Sequence, residues 1–351
     1  MKIGIITLFG LYNYGNRLQN LAVTEIFRRQ NFDVETIVCE KIRVKMILKK
    51  IYHKILFWTS DSKRNLAFEK FNDKYIKLNH IYRNDATIPN TISNSYDLFV
   101  VGSDQVWNPE IRKQEKSNFY LKFAPPYKRI CISPSIGISK IAKEDEQDFK
   151  EGLDGFKYLC CREDQGANEI TRVTGQYAET LIDPTLALNA NFWRSIADYT
   201  KIPKRKYILA IFLGGMNRRI KNNIDVFAND ENYEVINLFD TSSLYYTSGP
   251  ESFISLIDKA EMVFTDSFHA VAFSLNLNTP FYAFDRIQPA SQGNMNSRIS
   301  SLLAKCSFEN RFVEEDFINF QFECNFTNSN IQLEKERDKF NSYVLRVLEN
   351  I

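Results

Sequence analysis

Residues 2–27 read KIGIITLFGLYNYGNRLQNLAVTEIF, and this stretch decides the fold. The apolar run over residues 2–8 predicts a buried strand, and a loop containing glycines follows it. From Arg17 onward, apolar residues recur at helical spacing on one face. A second apolar run over residues 34–38 predicts the next strand. The order strand, loop, helix, strand is typical of the start of a parallel sheet with crossover helices.

The rest of the chain repeats this order. Apolar runs that end in small or polar residues predict further strands over 97–101, 129–133, 158–162, 180–183, 207–213, 235–238, 262–265 and 280–283. Helical spacing predicts helices over 250–259, 268–275 and 333–351. The polar, proline-containing segment 202–206 separates the two halves. We therefore expect two facing doubly wound (Rossmann-like) α/β domains with a central cleft, over 1–200 and 201–330, and a C-terminal helix over 331–351 that packs back on a domain.

Bulk composition fits an ordinary globular protein of two domains. The 351 residues are 44% hydrophobic and 25% charged, and the net charge of +2 points to neither nucleic acid nor an acidic partner. The six cysteines form no C-x-x-C pair, which argues against a disulfide framework or a zinc site. The first residues read as a strand rather than a signal peptide, and no apolar run reaches the roughly 18 residues of a membrane span. We expect a cytoplasmic protein.

One basic segment interrupts the α/β order. Within an insertion over about 41–60, residues 41–54 carry six lysines and arginines and no acid, and apolar residues recur at helical spacing. Two interpretations stay open: a helix packed on its own domain with a solvated basic face, or a peripheral contact with the inner face of a membrane.

Polar clusters follow the strands of the first half, where ligands bind in open α/β sheets. The loop and helix after the first strand could bind phosphate, carboxylate or sugar oxygens through Asn13, Gly15, Asn16 and Gln19. The cluster Ser103, Asp104 and Gln105 beside Trp107 is either a sugar platform or a helix cap. Arg162 either forms an internal ion pair or binds an anion.

The second half carries the candidate catalyst. The turn with Gly214, Gly215, Arg218 and Arg219 is either an anion receptor or a solvated helix start. His269 is one of three histidines, and it follows the strand over 262–265, beside Asp266 and Ser267. Because histidine titrates near neutrality, this position favours acid–base catalysis by His269.

Together these segments resemble the polysaccharide pyruvyl transferase family over most of the chain. The resemblance rests on the order and spacing of several segments: Asn13–Asn20, Val101–Pro109, Arg162-Glu163, Asp183–Leu186, Thr265–His269, Arg298 with Leu302-Leu303, and Asn310-Arg311.

The resemblance implies a GT-B-like fold with phosphoenolpyruvate as co-substrate and no further cofactor. It implies transfer of pyruvate to two hydroxyls of a sugar, which gives a cyclic ketal on a building block of a surface polysaccharide. We expect the first domain to bind the acceptor and the second to bind phosphoenolpyruvate, with Asp266 orienting His269 or taking a sugar proton. Many members carry an arginine two positions before the histidine, where this chain has Ser267. The arginines available to hold the anion instead are Arg162, Arg218, Arg219 and Arg298.

Two other function classes fit the same architecture. A GT-B-type glycosyltransferase would use a nucleotide sugar, and a sugar-binding module would bind saccharide irrespective of His269. No cluster of histidine, cysteine and carboxylate calls for a metal. The sequence does not choose between a free, nucleotide-linked or lipid-linked acceptor, and it does not give the oligomeric state.

Overall fold

A computed structural model of the chain describes residues 1–10, 12–40, 59–109, 116–286 and 297–350. The chain divides into two compact units. The first comprises the described residues of Met1–Trp58, Glu69–Ala187 and Glu336–Ile351, and the second comprises those of Thr59–Phe68 and Leu188–Lys335. The basic segment 41–58, for which a helix is predicted, lies outside the described residues.

The first unit is built on a parallel sheet of five strands. They are β1 (Lys2–Ile6), β2 (Asp33–Glu40), β3 (Leu78–Tyr82), β4 (Leu98–Val101) and β5 (Arg129–Cys131). Their order across the sheet is β3-β2-β1-β4-β5. A separate parallel pair contains β6 (Leu159–Cys161) and β7 (Ala178–Thr180). The prediction of a strand over 180–183 was therefore wrong by two residues at its start and by three at its end, because the chain leaves the pair after Thr180 and turns into a short helix at Pro184.

The second unit has a parallel sheet of the same kind. Its strands are β8 (Tyr207–Ile211), β9 (Glu234–Asn237), β10 (Met262–Thr265), β11 (Phe281–Phe284) and β12 (Phe312–Val313). Their order is β12-β11-β10-β8-β9. The parallel α/β class that the sequence predicts is thus present in both units.

Helices connect the strands. They are α1 (Tyr14–Arg28), α2 (Ser60–Tyr75), α3 (Lys116–Phe119), α4 (Lys143–Leu153), α5 (Asp164–Thr174), α6 (Pro184–Ala187), α7 (Ala190–Ile196), α8 (Arg218–Asp230), α9 (Pro250–Asp258), α10 (Phe268–Leu277), α11 (Ser297–Cys306) and α12 (Thr327–Glu349). Short 3-10 turns lie at Asn90–Ser95, Pro126–Lys128, Leu244–Thr247 and Glu309–Arg311. Among the described helices, none combines the length and the apolar character that crossing a membrane requires.

The strand order places one topological switch point in each sheet. From β1 the chain winds outward through β2 and β3 and then returns to β4 on the other side of β1. From β8 it goes to β9 and then returns to β10. Because parallel crossovers are right-handed, such a reversal puts helices on both faces and opens a crevice at the carboxyl ends of the two central strands. The pairs β1/β4 and β8/β10 therefore mark where ligand sites are expected.

Aromatic side chains fill the core of the second unit. Phe264 on β10 is fully buried, with its ring centroid 4.7 Å from that of Phe320 and 6.0 Å from that of Tyr282. Such pairs add roughly 0.5–1.5 kcal/mol each beyond their area burial. The abundant phenylalanine here serves packing.

A buried carboxylate forms ion pairs and a hydrogen bond that link the neighbouring strands β1 and β2 of the first unit. Glu35 on β2 pairs with Lys2 on β1 (3.0 Å) and with Lys77 (2.8 Å), and it accepts a hydrogen bond from the hydroxyl of Tyr96 (2.6 Å). Burial alone would raise the pKa of Glu35, but the hydrogen bonds from Lys77, Tyr96 and Lys2 outweigh it and bring the pKa to about 2. The charged form of Glu35 therefore stabilises the fold.

Candidate functional site

The loops at the switch point of the second unit are tied together by one carboxylate. Ile211 on β8 and Thr265 on β10 are in register, so the segments after both strands start side by side. Asp266 follows Thr265 and is 2% exposed. Its two oxygens accept hydrogen bonds from the backbone N–H groups of Leu213 (2.6 Å) and Gly214 (2.7 Å).

This pairing bears on two predicted site residues. The sequence predicts that Gly214 offers its N–H to a ligand anion, whereas the structure supplies an acceptor from within the protein. Both oxygens of Asp266 are likewise engaged by N–H donors of the loop. Burial raises the pKa of Asp266, and Arg286 and the two N–H groups oppose that rise. Asp266 therefore clamps the loop, and its predicted role in proton transfer stays a prediction.

Arg286 is a site residue that the sequence analysis missed. Its Nη2 donates to the carbonyl oxygen of Asp266 (3.0 Å), its Nε lies 3.6 Å from a carboxylate oxygen of Asp266, and its side chain is 15% exposed. β11 pairs in parallel with β10, with Thr265 opposite Ala283. Arg286 follows the end of β11 by two residues. The predicted strand over 280–283 could therefore have identified it, because residues just after a parallel strand lie at the ligand-binding edge of the sheet.

Ser267 and His269 begin the helix that leaves the switch point. The hydroxyl of Ser267 accepts a hydrogen bond from the N–H of Ala270 (3.5 Å), so Ser267 is the N-cap of α10. His269 lies in the first turn, 9% exposed, with its ring edge-on to that of Phe268 at 5.3 Å. The buried guanidinium of Arg298 lies 6.0 Å from the Phe268 ring. The structure thus gathers His269, Arg298 and Arg286 around one short segment.

The remaining residues predicted for this half lie at the start of α8. Gly215 has a φ of +81°, a conformation that glycine adopts without strain. Asn217 caps α8 by accepting a hydrogen bond from the N–H of Ile220 (2.8 Å). Arg218 and Arg219 are exposed. The structure therefore places both arginines on a solvated helix start, one of the two interpretations of this turn.

A glutamine bridges the switch point of the first unit. The amide of Gln19 donates to the hydroxyl of Thr7 (2.8 Å) after β1 and accepts from the N–H of Ser103 (3.0 Å) after β4. The hydroxyl of Ser103 donates to the Ser133 carbonyl (2.7 Å) beyond β5. All these residues are buried. Gln19 and Ser103, both predicted to bind substrate, are thus engaged with the protein itself.

The other residues predicted around α1 also have internal roles. Asn13 caps α1 by accepting a hydrogen bond from the N–H of Asn16 (3.1 Å). The side-chain amide of Asn16 donates to the carboxylate of Asp104. Gly15 is buried in the first turn of α1. These contacts join the loops after β1 and β4, so the polar residues here build the edge of the sheet.

Arg162 is buried in a cluster of carboxylates. It lies 2.6 Å from Asp183, 3.8 Å from Asp104 and 4.0 Å from Glu163, and its side chain is 2% exposed. Burial lowers the pKa of Arg162, and the three carboxylates outweigh this effect and raise it. Of the two interpretations of Arg162, the structure supports the internal ion pair.

Trp107 is a core residue, so the interpretation of this segment as an aromatic sugar platform is wrong. Its side chain is 1% exposed, and its indole N–H donates to the carbonyl of Phe119 (3.1 Å). The ring packs edge-on against Phe156 at 5.7 Å. The neighbouring Gln105 is also buried and accepts a hydrogen bond from Asn108 (2.8 Å). A sugar platform needs an accessible aromatic ring, but the large apolar surface of this tryptophan is buried.

Comparisons with known proteins add to this geometry. The family model described as polysaccharide pyruvyl transferase matches residues 13–287. Curated proteins yield no significant match. Among solved structures, the N-terminal domain of Candida albicans trehalose-6-phosphate phosphatase is 9% identical, with a TM-score of 0.51 over 99% of this chain and 97% of that one. A putative UDP-N-acetylglucosamine 2-epimerase from Listeria monocytogenes is 8% identical, with a TM-score of 0.50 over 95% and 94%. At such identities the likeness concerns the fold alone, and the predicted GT-B-like class is confirmed.

Proposed function

Because the chain belongs to the polysaccharide pyruvyl transferase family, we propose that it transfers pyruvate from phosphoenolpyruvate to two hydroxyls of one sugar and closes a cyclic ketal. The observation that carries this proposal is the position of His269 at the switch point of the second unit, where Arg286 and Arg298 flank its segment. The reaction needs a proton carrier and cations for an anionic substrate, and this segment has both.

The reaction requires proton transfer both to carbon and from the sugar hydroxyls. Protonation of the methylene carbon of phosphoenolpyruvate gives an oxocarbenium centre at the carbon that bears the phosphate. One sugar hydroxyl adds to that carbon and releases its proton, and a second hydroxyl then displaces phosphate and closes the ring. One hydroxyl proton in effect ends on the new methyl group and the other leaves with phosphate. A group that gives and takes protons near neutrality therefore serves both halves of the reaction.

His269 fits the role of proton carrier. Among the ordinary side chains, imidazole changes charge near neutral pH, so it can protonate carbon and later accept a hydroxyl proton. Its position in the first turn of α10, at the carboxyl end of β10, is where doubly wound sheets bind ligands. We place Asp266 as a positioning residue, because its oxygens hold the loop of residues 213–214 and its backbone and carboxylate hold Arg286.

The anion of phosphoenolpyruvate is proposed to contact Arg286 and Arg298. Ser267 caps a helix where many family members carry an arginine, so the cation must come from another element. Arg286 lies just after the end of β11 and Arg298 lies on α11, and both belong to the second unit. Guanidinium groups bind carboxylate and phosphate through paired hydrogen bonds. The exposed Arg218 and Arg219 are the second choice for this role.

The test uses phosphoenolpyruvate and a panel of sugar acceptors, free, nucleotide-linked and lipid-linked. Phosphate release and the mass gain of the sugar are measured for wild type, His269→Ala and His80→Ala. His80 is the matched control, because it is an exposed histidine on the edge strand β3. Loss of a general acid–base typically lowers the rate by about 10²–10⁴-fold, so His269→Ala is expected to lose at least 100-fold while His80→Ala keeps the wild-type rate.

Two outcomes contradict the proposal. A folded His269→Ala variant that keeps the wild-type rate removes His269 as the proton carrier. Consumption of a nucleotide sugar by the wild type, without phosphate release from phosphoenolpyruvate, replaces the proposal with glycosyl transfer.

A further inference from the structure

Arg17 is a buried cation at the switch point of the first unit. It lies in the first turn of α1 and is 4% exposed. Its guanidinium carbon is 3.5 Å from the ring centroid of Phe9, which follows the end of β1 by three residues. Helix side chains lean toward the helix N-terminus, which explains how Arg17 reaches back over this loop. The charge is therefore held at the carboxyl end of β1, next to the strand pair β1/β4.

Within the described part of the chain, Arg17 has no carboxylate partner. Its Nε and Nη1 atoms are buried and make no hydrogen bond there. Asp104 and Asp183, which lie at the same edge of the fold, pair with Arg162. Burial lowers the pKa of Arg17 to about 10, so the side chain stays charged at neutral pH. A buried charge without a counter-charge is destabilising by itself, which calls for a compensating group.

The helix around Arg17 adds to the positive field. A helix N-terminus carries a partial positive charge and favours an anion, so a cation in the first turn is unfavourable. α1 has no acidic residue in its first turn to offset either charge. Asn13 accepts a hydrogen bond from the N–H of Asn16. A guanidinium without an ion-pair partner and a helix N-terminus without an acid in its first turn form the pattern of an anion receptor.

We propose that Arg17 and the first turn of α1 bind a phosphate group of a substrate. The sequence predicted a ligand site in this loop and attributed it to Asn13, Gly15, Asn16 and Gln19. The side chains of Asn13, Asn16 and Gln19 form hydrogen bonds within the protein, whereas Arg17 has buried donors to offer. The proposal rests on the proposed function only for the identity of the ligand, since in that reaction the phosphate belongs either to phosphoenolpyruvate or to a phosphorylated acceptor.

The experiment measures binding to the full-length protein by isothermal titration calorimetry. The probes are phosphoenolpyruvate, uridine diphosphate and inorganic pyrophosphate. The variants are Arg17→Met, Arg17→Lys and the control Arg29→Met, which removes the same charge from the exposed end of the same helix. We expect Arg17→Met to weaken at least one probe by tenfold or more, Arg17→Lys to weaken it less, and Arg29→Met to bind as wild type. Loss confined to phosphoenolpyruvate assigns the site to the donor, and loss confined to the diphosphates assigns it to the acceptor.

Stability separates a ligand-binding role from a structural one. If Arg17 serves a ligand, the ligand-free Arg17→Met protein melts at the wild-type temperature or above it, because an uncompensated charge is gone. A clearly lower melting temperature with unchanged binding assigns Arg17 to the fold and overturns the proposal, as does equal binding by all variants or no binding of any probe by wild type. Failure of the proposed function looks different, since it appears as wild-type protein that releases no phosphate, whatever these titrations give.

Discussion

The substitution Asp266→Asn tests whether the carboxylate at the second switch point holds the loops or performs chemistry. The change keeps the shape of the side chain, removes its charge and replaces one oxygen by an NH₂ group. In the native structure both oxygens accept backbone N–H donors, at 2.6 and 2.7 Å, and Arg286 Nε lies 3.6 Å away. The side chain is 1% exposed, so water cannot replace a lost partner.

The size of the effect follows from these contacts. A hydrogen bond to a charged group contributes about 1.5–3 kcal/mol, and a buried N–H left without an acceptor costs about 1–3 kcal/mol. Asparagine keeps one acceptor and sets its NH₂ against the second N–H, so one bond weakens and one donor is orphaned. Burial raises the pKa of Asp266 because a buried charge is unfavourable. Asparagine carries no charge, so the substitution removes this cost and offsets part of the loss. We expect a net destabilisation of about 2 kcal/mol, a large part of the stability of a typical domain.

Urea unfolding followed by far-UV circular dichroism measures this loss, with Asp230→Asn as the matched control. Asp230 is exposed at the end of α8, so the same substitution there should leave the midpoint unchanged. We expect the loss of activity to follow the loss of stability, because the loop of residues 213–214 is displaced, and we expect part of the activity to return at lower temperature. An Asp266→Asn protein within about 0.5 kcal/mol of wild type but without activity would refute the clamp and identify Asp266 as a proton-transfer residue.

Two further predictions concern the first unit. Arg162→Met should lower the free energy of unfolding by about 3–5 kcal/mol, because it leaves Asp183 buried beside Asp104 without their cation; thermal unfolding at pH 7 measures it, and a loss below 1 kcal/mol contradicts the buried ion pair. Glu35→Gln should cost about 1–2 kcal/mol at pH 7. Since the folded-state pKa of Glu35 is about 2 and its unfolded value about 4.3, this stabilisation is present above pH 4.3 and is lost as pH falls toward 2. Unfolding curves of both proteins from pH 7 to pH 3 check it, and a pH-independent difference argues against the charged hydrogen bonds.

The fold was largely predictable because central strands of parallel sheets are buried on both faces. β1, β4, β8 and β10 are therefore uninterrupted apolar runs, and each was predicted within two residues at either end. The edge strand β3 was not predicted, since LNHIY is only half apolar and half buried. α2 was not predicted either, because its sequence SDSKRNLAFEKFNDKY carries only a weak apolar stripe. Burial on one side only leaves too faint a pattern in a single sequence.

The candidate site was predictable in location but not in its pairings. Polar clusters after apolar runs marked both switch points, because the carboxyl ends of parallel strands meet at one edge. Which groups satisfy each other depends on residues far apart in the chain. Leu213 and Asp266 are 53 positions apart, and Asn16 and Asp104 are 88 apart. A polar side chain that binds a ligand and one that binds a neighbouring loop have the same sequence pattern, so the pattern assigned ligands to Gln19, Ser103 and Gly214.

Partner contacts, rather than polarity, separate the two kinds of residue. Arg17 and Arg162 are the same side chain, both nearly fully buried within the first unit. Arg162 has Asp183 at 2.6 Å, so its burial is compensated within the fold. Arg17 lies over the face of Phe9 and interacts electrostatically with Tyr12, but its Nε and Nη1 make no hydrogen bond to a described residue. A desolvated cation over a phenyl ring recovers about 2 kcal/mol of a desolvation cost of several kcal/mol. A bound anionic ligand would stabilise the charge of Arg17. Removal of this charge should therefore stabilise the ligand-free protein and destabilise the ligand-bound protein. Substitution of Arg162, which stabilises the fold without a ligand, cannot produce this change of sign in the stability effect.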